Sequence, residues 1–355
     1  MNITIVGMGA IGGLIGARLA STGAHVNAVA RGATLAALQA HGIHVLHADG
    51  SPGISGAPIH AVADATSLGF QDVVVIALKA TQLTSTMAMA SIAPLIGPHT
   101  LIMTAMNGVP WWFFGKADGP QAGLRLPSLD PQGELARVVP IERTVGCVVH
   151  LSAACPRPGA VQLNFGNRLL VGAASGDLAL AAAPFMSALT AGGFDAAWSS
   201  EIRRDIWYKL WGNMTINPIS VLTGATADRI LDDPLLHEFC LAAMAEAGAI
   251  GALIGCPIDQ SGSDRMIVTR TLGAFKTSML LDAEAGKGLE VDALITVVHE
   301  IGRAVGVATP TIDSLLGLIR LHGCCHGLYP APVDRIAGAS SRLNQATPKS
   351  DENAN

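Results

Sequence analysis

The sequence predicts an α/β, doubly wound N-terminal domain joined to an all-α C-terminal domain. Three observations carry this. Over the first 110 residues, short β-rich runs alternate with Ala-rich helical patterns, the rhythm of a parallel sheet built from βαβ units. A glycine-rich loop sits at the first strand-to-helix turn. From about 200 to 322 the periodicity is almost purely helical, broken at Pro218, Pro234, Pro257 and Pro310.

The elements follow in order. Strand "ITIVG" leads to helix "IGGLIGARLASTG", strand "HVNAVAR" and helix "ATLAALQAHG". Then come strand "DVVVIALK", a helix near 83–93 and strand "TLIMTAMN". Residues 111–142 are rich in Pro and Gly and read as a long loop. Short strands resume at "RTVGCVVHL", "GAVQLNF" and "NRLLVGA", before a helix around 178–192. This gives a domain of residues 1–199, a helical domain of 200–330, and a polar, aperiodic tail at 331–355 predicted to be disordered.

Composition narrows the function. The 355 residues suit two domains on a prior of ~100–200 residues each. Half are apolar and 14% charged, so a large core is available. A net charge of −5 provides no basic field, so neither nucleic acid nor an anionic membrane is an expected partner. Any anionic ligand has to be held by local donors.

The chain opens directly on a strand ("NITIVGMG") with no cationic leader. Its apolar stretch "FCLAAMAEAGAIGALIG" is interrupted by Glu246 and falls short of the ~18–20 residues of a membrane span. Cys147, Cys155, Cys240, Cys256, Cys324 and Cys325 show no metal-ligand spacing. They read as reduced thiols, which places the protein in the cytoplasm. Cys324–Cys325 beside His326 is read as incidental, so no metal is expected.

"VGMGAIGG" supplies Gly7, Gly9 and Gly12 as G-x-G-x-x-G, with Met8, Ala10 and Ile11 between them. Gly7 permits the tight turn, Gly9 lets the backbone approach a pyrophosphate, and Gly12 lets helix and strand pack closely. The domain is therefore Rossmann-type and the loop is a dinucleotide site. The second strand selects the dinucleotide. NAD-binding domains end it with an acid for the ribose 2′-hydroxyl. Here it ends "NAVARGAT", with Arg31 in that place and no acid before Asp49. A guanidinium pairs with a 2′-phosphate where a carboxylate would repel it, so NADP(H) is the expected cofactor.

In the helical half, "WYKLWGNMTINP" sets Lys209, Asn213 and Asn217 four residues apart among apolar neighbours. On a helix all three share one face. Pro218 follows directly, which predicts Asn217 at a helix end or kink. With the glycine loop and Arg31, this face resembles the ketopantoate reductase (2-dehydropantoate 2-reductase) family. Five motifs fall in the family's order: "GMGAIGG", "LKATQ" at 78–82, "MNG" at 106–108, "KLWGNMTINP" at 209–218 and "SMLLDAEAGKGLEVD" at 278–292.

The resemblance implies an N-terminal Rossmann domain, a helical C-terminal domain and a cleft between them. It implies that Lys209 is the catalytic acid and that Asn213 and Asn217 bind substrate. Asn107 and Lys79 would sit at the cofactor–substrate junction. Ser278 would contact substrate, Glu290 cofactor or substrate, and Arg31 the 2′-phosphate.

The chemistry supports this independently. Hydride reduction of a ketone builds negative charge on the carbonyl oxygen, which needs a nearby proton donor. Lys209 on an apolar helix can supply it, with its pKa lowered by desolvation. Lys79 ends strand "VVVIALK", where a parallel sheet delivers side chains to a ligand crevice, and Gln82 follows. Ser278, Asp282 and Glu290 would share a helical face, but Gly286 and Gly288 predict a turn within that stretch. Asp282 is read as a structural partner outside the site, and His150 as structural.

The sequence departs from the family after Asn107–Gly108, where a longer insertion opens on Trp111, Trp112, Phe113 and Phe114. These aromatics are expected either to line or lid the substrate pocket, or to anchor a loop on the surface or in a dimer contact. The leading expectation is an NADPH-dependent 2-oxo acid reductase acting on ketopantoate in pantothenate biosynthesis. The alternatives are a reductase of a bulkier 2-oxo acid recognised partly by Trp111 and Trp112, and a non-catalytic NADP(H) sensor. The sequence leaves the oligomeric state open, a homodimer through the helical domain being compatible with it.

Overall fold

The computed structural model describes residues 1–83, 86–115 and 121–330. The 331–355 tail, expected to be disordered, lies outside them. Among the described residues one sheet contains β1 (Asn2–Val6), β2 (His25–Val29), β3 (Ile43–Leu46), β4 (Pro52–Ala57) and β5 (His60–Val62). It continues with β6 (Val73–Ile76), β7 (Leu101–Thr104), β8 (Thr144–Arg157), β9 (Ala160–Ala173) and β10 (Asp195–Trp198). The order across the sheet is β4-β3-β9-β8-β7-β6-β1-β2-β5, with β10 on β9.

Between the strands run α1 (Ala10–Ser21), α2 (Gly32–His41), α3 (Ala80–Leu83), α4 (Thr86–Ile92), α5 (Glu134–Val138) and α6 (Ala179–Ala191). Beyond β10 the regular elements are helical: α7 (Ile202–Thr223), α8 (Ala227–Asp232), α9 (Pro234–Leu253), α10 (Gly262–Arg270) and α11 (Ser278–Glu284). A π-helical stretch, Asp292–Thr296, leads into α12 (Val297–Val305), and α13 (Pro310–Cys325) follows.

The β7-β6-β1-β2-β5 part is parallel throughout. Strand β6 reads Val-Val-Val-Ile with every residue buried, as a strand covered on both faces must. From β1 the chain steps to β2 on one side and later to β6 on the other. The reversal places a ligand crevice beyond the carboxyl ends of β1 and β6.

On the far side of the sheet β3–β4 is antiparallel, a departure from the parallel rhythm expected over the first 110 residues. Strands β8–β9, for which the sequence predicts no orientation, are antiparallel too. "GAVQLNF" and "NRLLVGA" are one strand, β9, whose register against β8 shifts near Gly166. Glycine and asparagine read as a chain break in sequence, but here they mark a bulge.

Two further expectations are corrected. Of the helix end or kink expected at Asn217, the end is excluded, because α7 continues through Pro218 to Thr223. Ile216, Ile219 and Val221 are all buried on either side of the proline, and that packing keeps the last turns helical despite the missing N–H. The aromatic run is neither a pocket lid nor a surface anchor. Trp112 Nε1 donates to Thr104 Oγ1 at 3.2 Å, at the end of β7. The Phe113 ring lies 6.3 Å from that of Trp207 on α7, with the Arg203 guanidinium 4.9 Å above it. Trp111 to Phe114 are all buried, so the insertion drives a wedge between the sheet and the first helix of the helical domain. Further along it, Asp130 accepts from Leu135 and Ala136 N–H at 3.2 and 3.0 Å, capping α5.

By length and composition α9 passes as a membrane span, the one such helix among the described residues. Its Glu246 carboxylate accepts from Thr311 and Ile312 N–H at 2.8 and 3.0 Å. The carboxylate inside the apolar helix therefore caps α13, and Ala243, Ala247 and Ile250 pack into the core.

Phe113 is 1% exposed, and truncating so buried a phenylalanine leaves a cavity. Phe113→Ala is expected to lower unfolding stability by about 3–5 kcal/mol in denaturant titrations. A loss under 1 kcal/mol would show that the wedge is not part of the core.

Candidate active site

The glycine loop follows β1 directly. Gly7 has φ +103°, which favours glycine, and a Cβ there would lie 2.7 Å from the Ala77 carbonyl oxygen beyond β6. The two loops at the sheet's reversal therefore touch. A Cβ on Gly12 would collide with the Gly7 carbonyl oxygen. Around Gly9, by contrast, a Cβ would meet nothing within 4 Å. Gly9 precedes α1, whose first turn has no capping side chain and no acid. Free N–H groups, a helix dipole and open space fit a pyrophosphate at this loop of Gly7, Met8, Gly9, Ala10, Ile11 and Gly12.

Arg31 stands beyond the end of β2, at the start of α2, and is exposed. It donates to Ser91 Oγ at 3.0 Å and to the Met87 carbonyl at 3.3 Å on α4. Its partners there are neutral, so the guanidinium keeps its charge available for a phosphate.

Lys209 is on α7, and its ammonium reaches across to the sheet. It donates to Asn107 Oδ1 at 3.0 Å and to the Val149 carbonyl on β8 at 2.7 Å. An ammonium has three N–H donors, so one remains for a ligand. Burial lowers its pKa from 10.5 to about 8, against the opposing influence of Cys147 and Glu290, which raise it. Cys147 itself stays a thiol, because burial pushes it up to about 12. His150, next to Val149, is pushed down to about 4 by desolvation and then by Lys209, Arg168 and Arg265. It is neutral near pH 7 and does not compete with the ammonium.

Asn107 follows β7, in a loop fixed by close contact with the helical domain. Gly108 has φ +77°, and a Cβ would collide with the Ala293 carbonyl of the π-helical stretch. The same carbonyl accepts from Val109 N–H at 3.1 Å. Lys79, beyond β6, pairs with Asp282 on α11. Its neighbour Ala80 donates its N–H to Glu290 Oε1 at 3.1 Å. Burial raises the pKa of Glu290, while this hydrogen bond and Lys79 oppose the shift.

Lys209, Asn107, Lys79 and Glu290 therefore meet at one domain boundary. Asn213 and Asn217 lie one and two turns beyond Lys209 on α7, and neither side chain has a hydrogen bond among the described residues. Ser278 is the exposed first residue of α11, and α11 is tied to α7 by a 2.7 Å hydrogen bond between Ser220 and Thr277. The turn expected near Gly286 is present, since α11 ends at Glu284. Asp282 is indeed a structural partner, but its partner is Lys79. Sequence reading missed the Val149 carbonyl and the Ala80 N–H, because backbone groups leave no residue-type signal.

A doubly wound sheet with an anion loop at its switch point, facing a half-buried lysine from a helical domain, defines a dinucleotide-dependent oxidoreductase. The comparisons narrow this. The ketopantoate reductase PanE/ApbA family profile matches residues 3–176, and its C-terminal counterpart matches 201–323. The 2-dehydropantoate 2-reductase of Mesorhizobium japonicum is 41% identical over 330 residues, covering 93% of this chain and 100% of that protein. A crystal structure from Ralstonia solanacearum MolK2, carrying a provisional ketopantoate reductase name, is 54% identical with a TM-score of 0.87. It covers 92% of this chain and 99% of its own. A D-mandelate dehydrogenase solved with NADH and anilino(oxo)acetate shares the fold at 21% identity and a TM-score of 0.76. It is matched over 92% of this chain and 100% of its own. The chain belongs to the ketopantoate reductase family, oxidoreductases acting on a CH–OH group.

The Glu290 charge raises the Lys209 pKa, so Glu290→Gln is expected to lower it below about 8. The alkaline limb of the kcat/KM profile should move to lower pH in the variant. An unmoved or higher limb would show that the two groups are not coupled.

Proposed function

We propose that this protein reduces 2-dehydropantoate (ketopantoate) to pantoate with NADPH, a cytoplasmic step of pantothenate biosynthesis. The observation that carries the reading is the Lys209 ammonium, held by Asn107 and Val149 with one donor left over and a pKa of about 8. Near neutrality it is protonated yet close enough to its pKa to release the proton.

The loop Gly7–Gly12 holds the pyrophosphate, Arg31 the 2′-phosphate, and Lys79, Asn107 and Glu290 border the nicotinamide end. When bound, the reduced cofactor supplies the hydride. Lys209 donates its third N–H to the substrate's ketone oxygen and transfers that proton as negative charge develops there. Asn213, Asn217 and Ser278 hydrogen-bond the substrate's hydroxyl and carboxylate. These neutral donors add no further positive charge that would lower the Lys209 pKa more.

A bulkier acid read by Trp111 and Trp112 finds no support, since the two rings are only 7% and 4% exposed, within the domain junction. A non-catalytic sensor leaves the positioned ammonium without a role.

Lys209→Ala is expected to lower kcat on ketopantoate by ~10²–10⁴, with little change in NADPH affinity. The wild-type rate should fall above about pH 8 as Lys209 loses its proton, and the variant should lack that limb. Near-normal turnover in Lys209→Ala would overturn the mechanism. Asn213→Ala and Asn217→Ala should instead act mainly on KM.

Arg31→Ala is expected to weaken NADPH binding by roughly ten- to hundredfold, the equivalent of a charge-assisted hydrogen bond of ~1.5–3 kcal/mol. NADH binding should hardly change. Equal losses for both cofactors, measured by fluorescence titration, would remove Arg31 from the phosphate site.

A further inference from the structure

A second concave region lies where the Arg125 segment of the insertion meets α12 and α13. It is a cavity of about 580 Å³, and none of the residues around Lys209 lines it. Its volume falls within the ~300–1,000 Å³ of small-molecule sites. Arg125, Arg303 and Arg320 face it, together with His299, Glu300 and Asp313.

Both carboxylates already have partners. Asp313 Oδ1 accepts from Thr309 Oγ1 at 2.8 Å and lies 2.6 Å from His299 Nδ1. Glu300 Oε2 accepts from Ser128 Oγ at 2.7 Å. Among the described residues, none of the three guanidiniums has an ion pair or hydrogen bond. The chain carries 27 Asp and Glu against 22 Lys and Arg, so this is no shortage of carboxylates.

Glu300 and Asp313 offset part of the guanidinium charge, and Arg303 acts on Asp313 across the cavity. Three guanidiniums against two carboxylates that already have partners still leave the wall net positive, which favours an anion. The guanidiniums come from three separate elements: Arg303 from α12, Arg320 from α13 and Arg125 from the insertion. The Ser128–Glu300 bond ties that insertion to α12. Planar guanidinium forks match the oxygens of a phosphate group. Leu316 and Pro127 supply apolar wall for the rest of a ligand.

We propose that this cavity binds a small phosphorylated anion, at a site separate from the dinucleotide loop. Neither Arg31 nor the Gly7–Gly12 loop contributes to it, so the proposal stands apart from the reading of the reductase site.

The test is a calorimetric titration of inorganic tripolyphosphate into the full chain and into three variants: Arg303→Gln/Arg320→Gln, Arg125→Gln and Arg31→Ala. The expected result is saturable binding that weakens at least tenfold in Arg303→Gln/Arg320→Gln and several-fold in Arg125→Gln. The component lost in the cavity variants should remain in Arg31→Ala, any change there being confined to binding at the dinucleotide loop. Arg125 is exposed, so its variant serves should the double variant fail to fold. The proposal is overturned by no binding to the wild type, or by equal binding in the cavity variants. Loss only in Arg31→Ala, placing the probe at the dinucleotide site, would overturn it too. It is also overturned if light scattering shows a wild-type dimer that Arg125→Gln dissociates, since the guanidiniums would then pair with a second copy.

Discussion

The arrangement turns on a single half-buried ammonium at the boundary between two domains. The fall of the Lys209 pKa from 10.5 to about 8 corresponds to roughly 3 kcal/mol against its charged form. That penalty is offset by the hydrogen bonds that Asn107 and the Val149 carbonyl accept and by the opposing influence of Cys147 and Glu290. Both acceptors belong to the sheet, whereas the donor belongs to α7. The helical domain must therefore sit in register with the sheet for the charge to be tolerated. Each further contact across the boundary, Val109 to Ala293, Ala80 to Glu290 and Lys79 to Asp282, enforces the same register. A residue that is costly for stability is thereby held where the two domains meet.

The insertion after β7 serves this register from another side. Its aromatic run is anchored on the sheet by Trp112 and on α7 by Phe113. It packs against α7 at Trp207, two residues before Lys209. Farther along, the same insertion brings Ser128 to α12 and presents Arg125 to the basic cavity. One inserted segment thus packs the junction at its start and borders a separate concave surface later on.

The polar groups inside apolar helices follow a common rule. Glu246 would be a liability on α9 were it not capping the N-terminus of α13. Lys209 would be one on α7 without its two acceptors. In both cases a half-buried charged group is retained because another element has backbone or amide groups that must also be satisfied.

Much was legible in the sequence because it rests on local chemistry. The glycine spacing requires a tight turn and close helix approach, the missing acid after β2 exposes Arg31, and the four-residue spacing sets Lys209, Asn213 and Asn217 on one face. Hydrophobic periodicity likewise separated a sheet-bearing half from a helical half. What the sequence could not determine depends on partners distant in the chain. Whether β8 and β9 run antiparallel is decided by pairing across a bulge near Gly166. That α7 passes through Pro218 is decided by the side chains buried around it. The burial of Trp111 to Phe114 is decided by Trp207, some 90 residues away, because an aromatic run reads alike whether it lids a pocket or fills a core. The sequence by itself determined the glycine loop after the first strand and the shared face of Lys209, Asn213 and Asn217 on α7. Only the tertiary structure decided that Lys209 faces a backbone carbonyl on β8, since a carbonyl is common to every residue and only folding selects one.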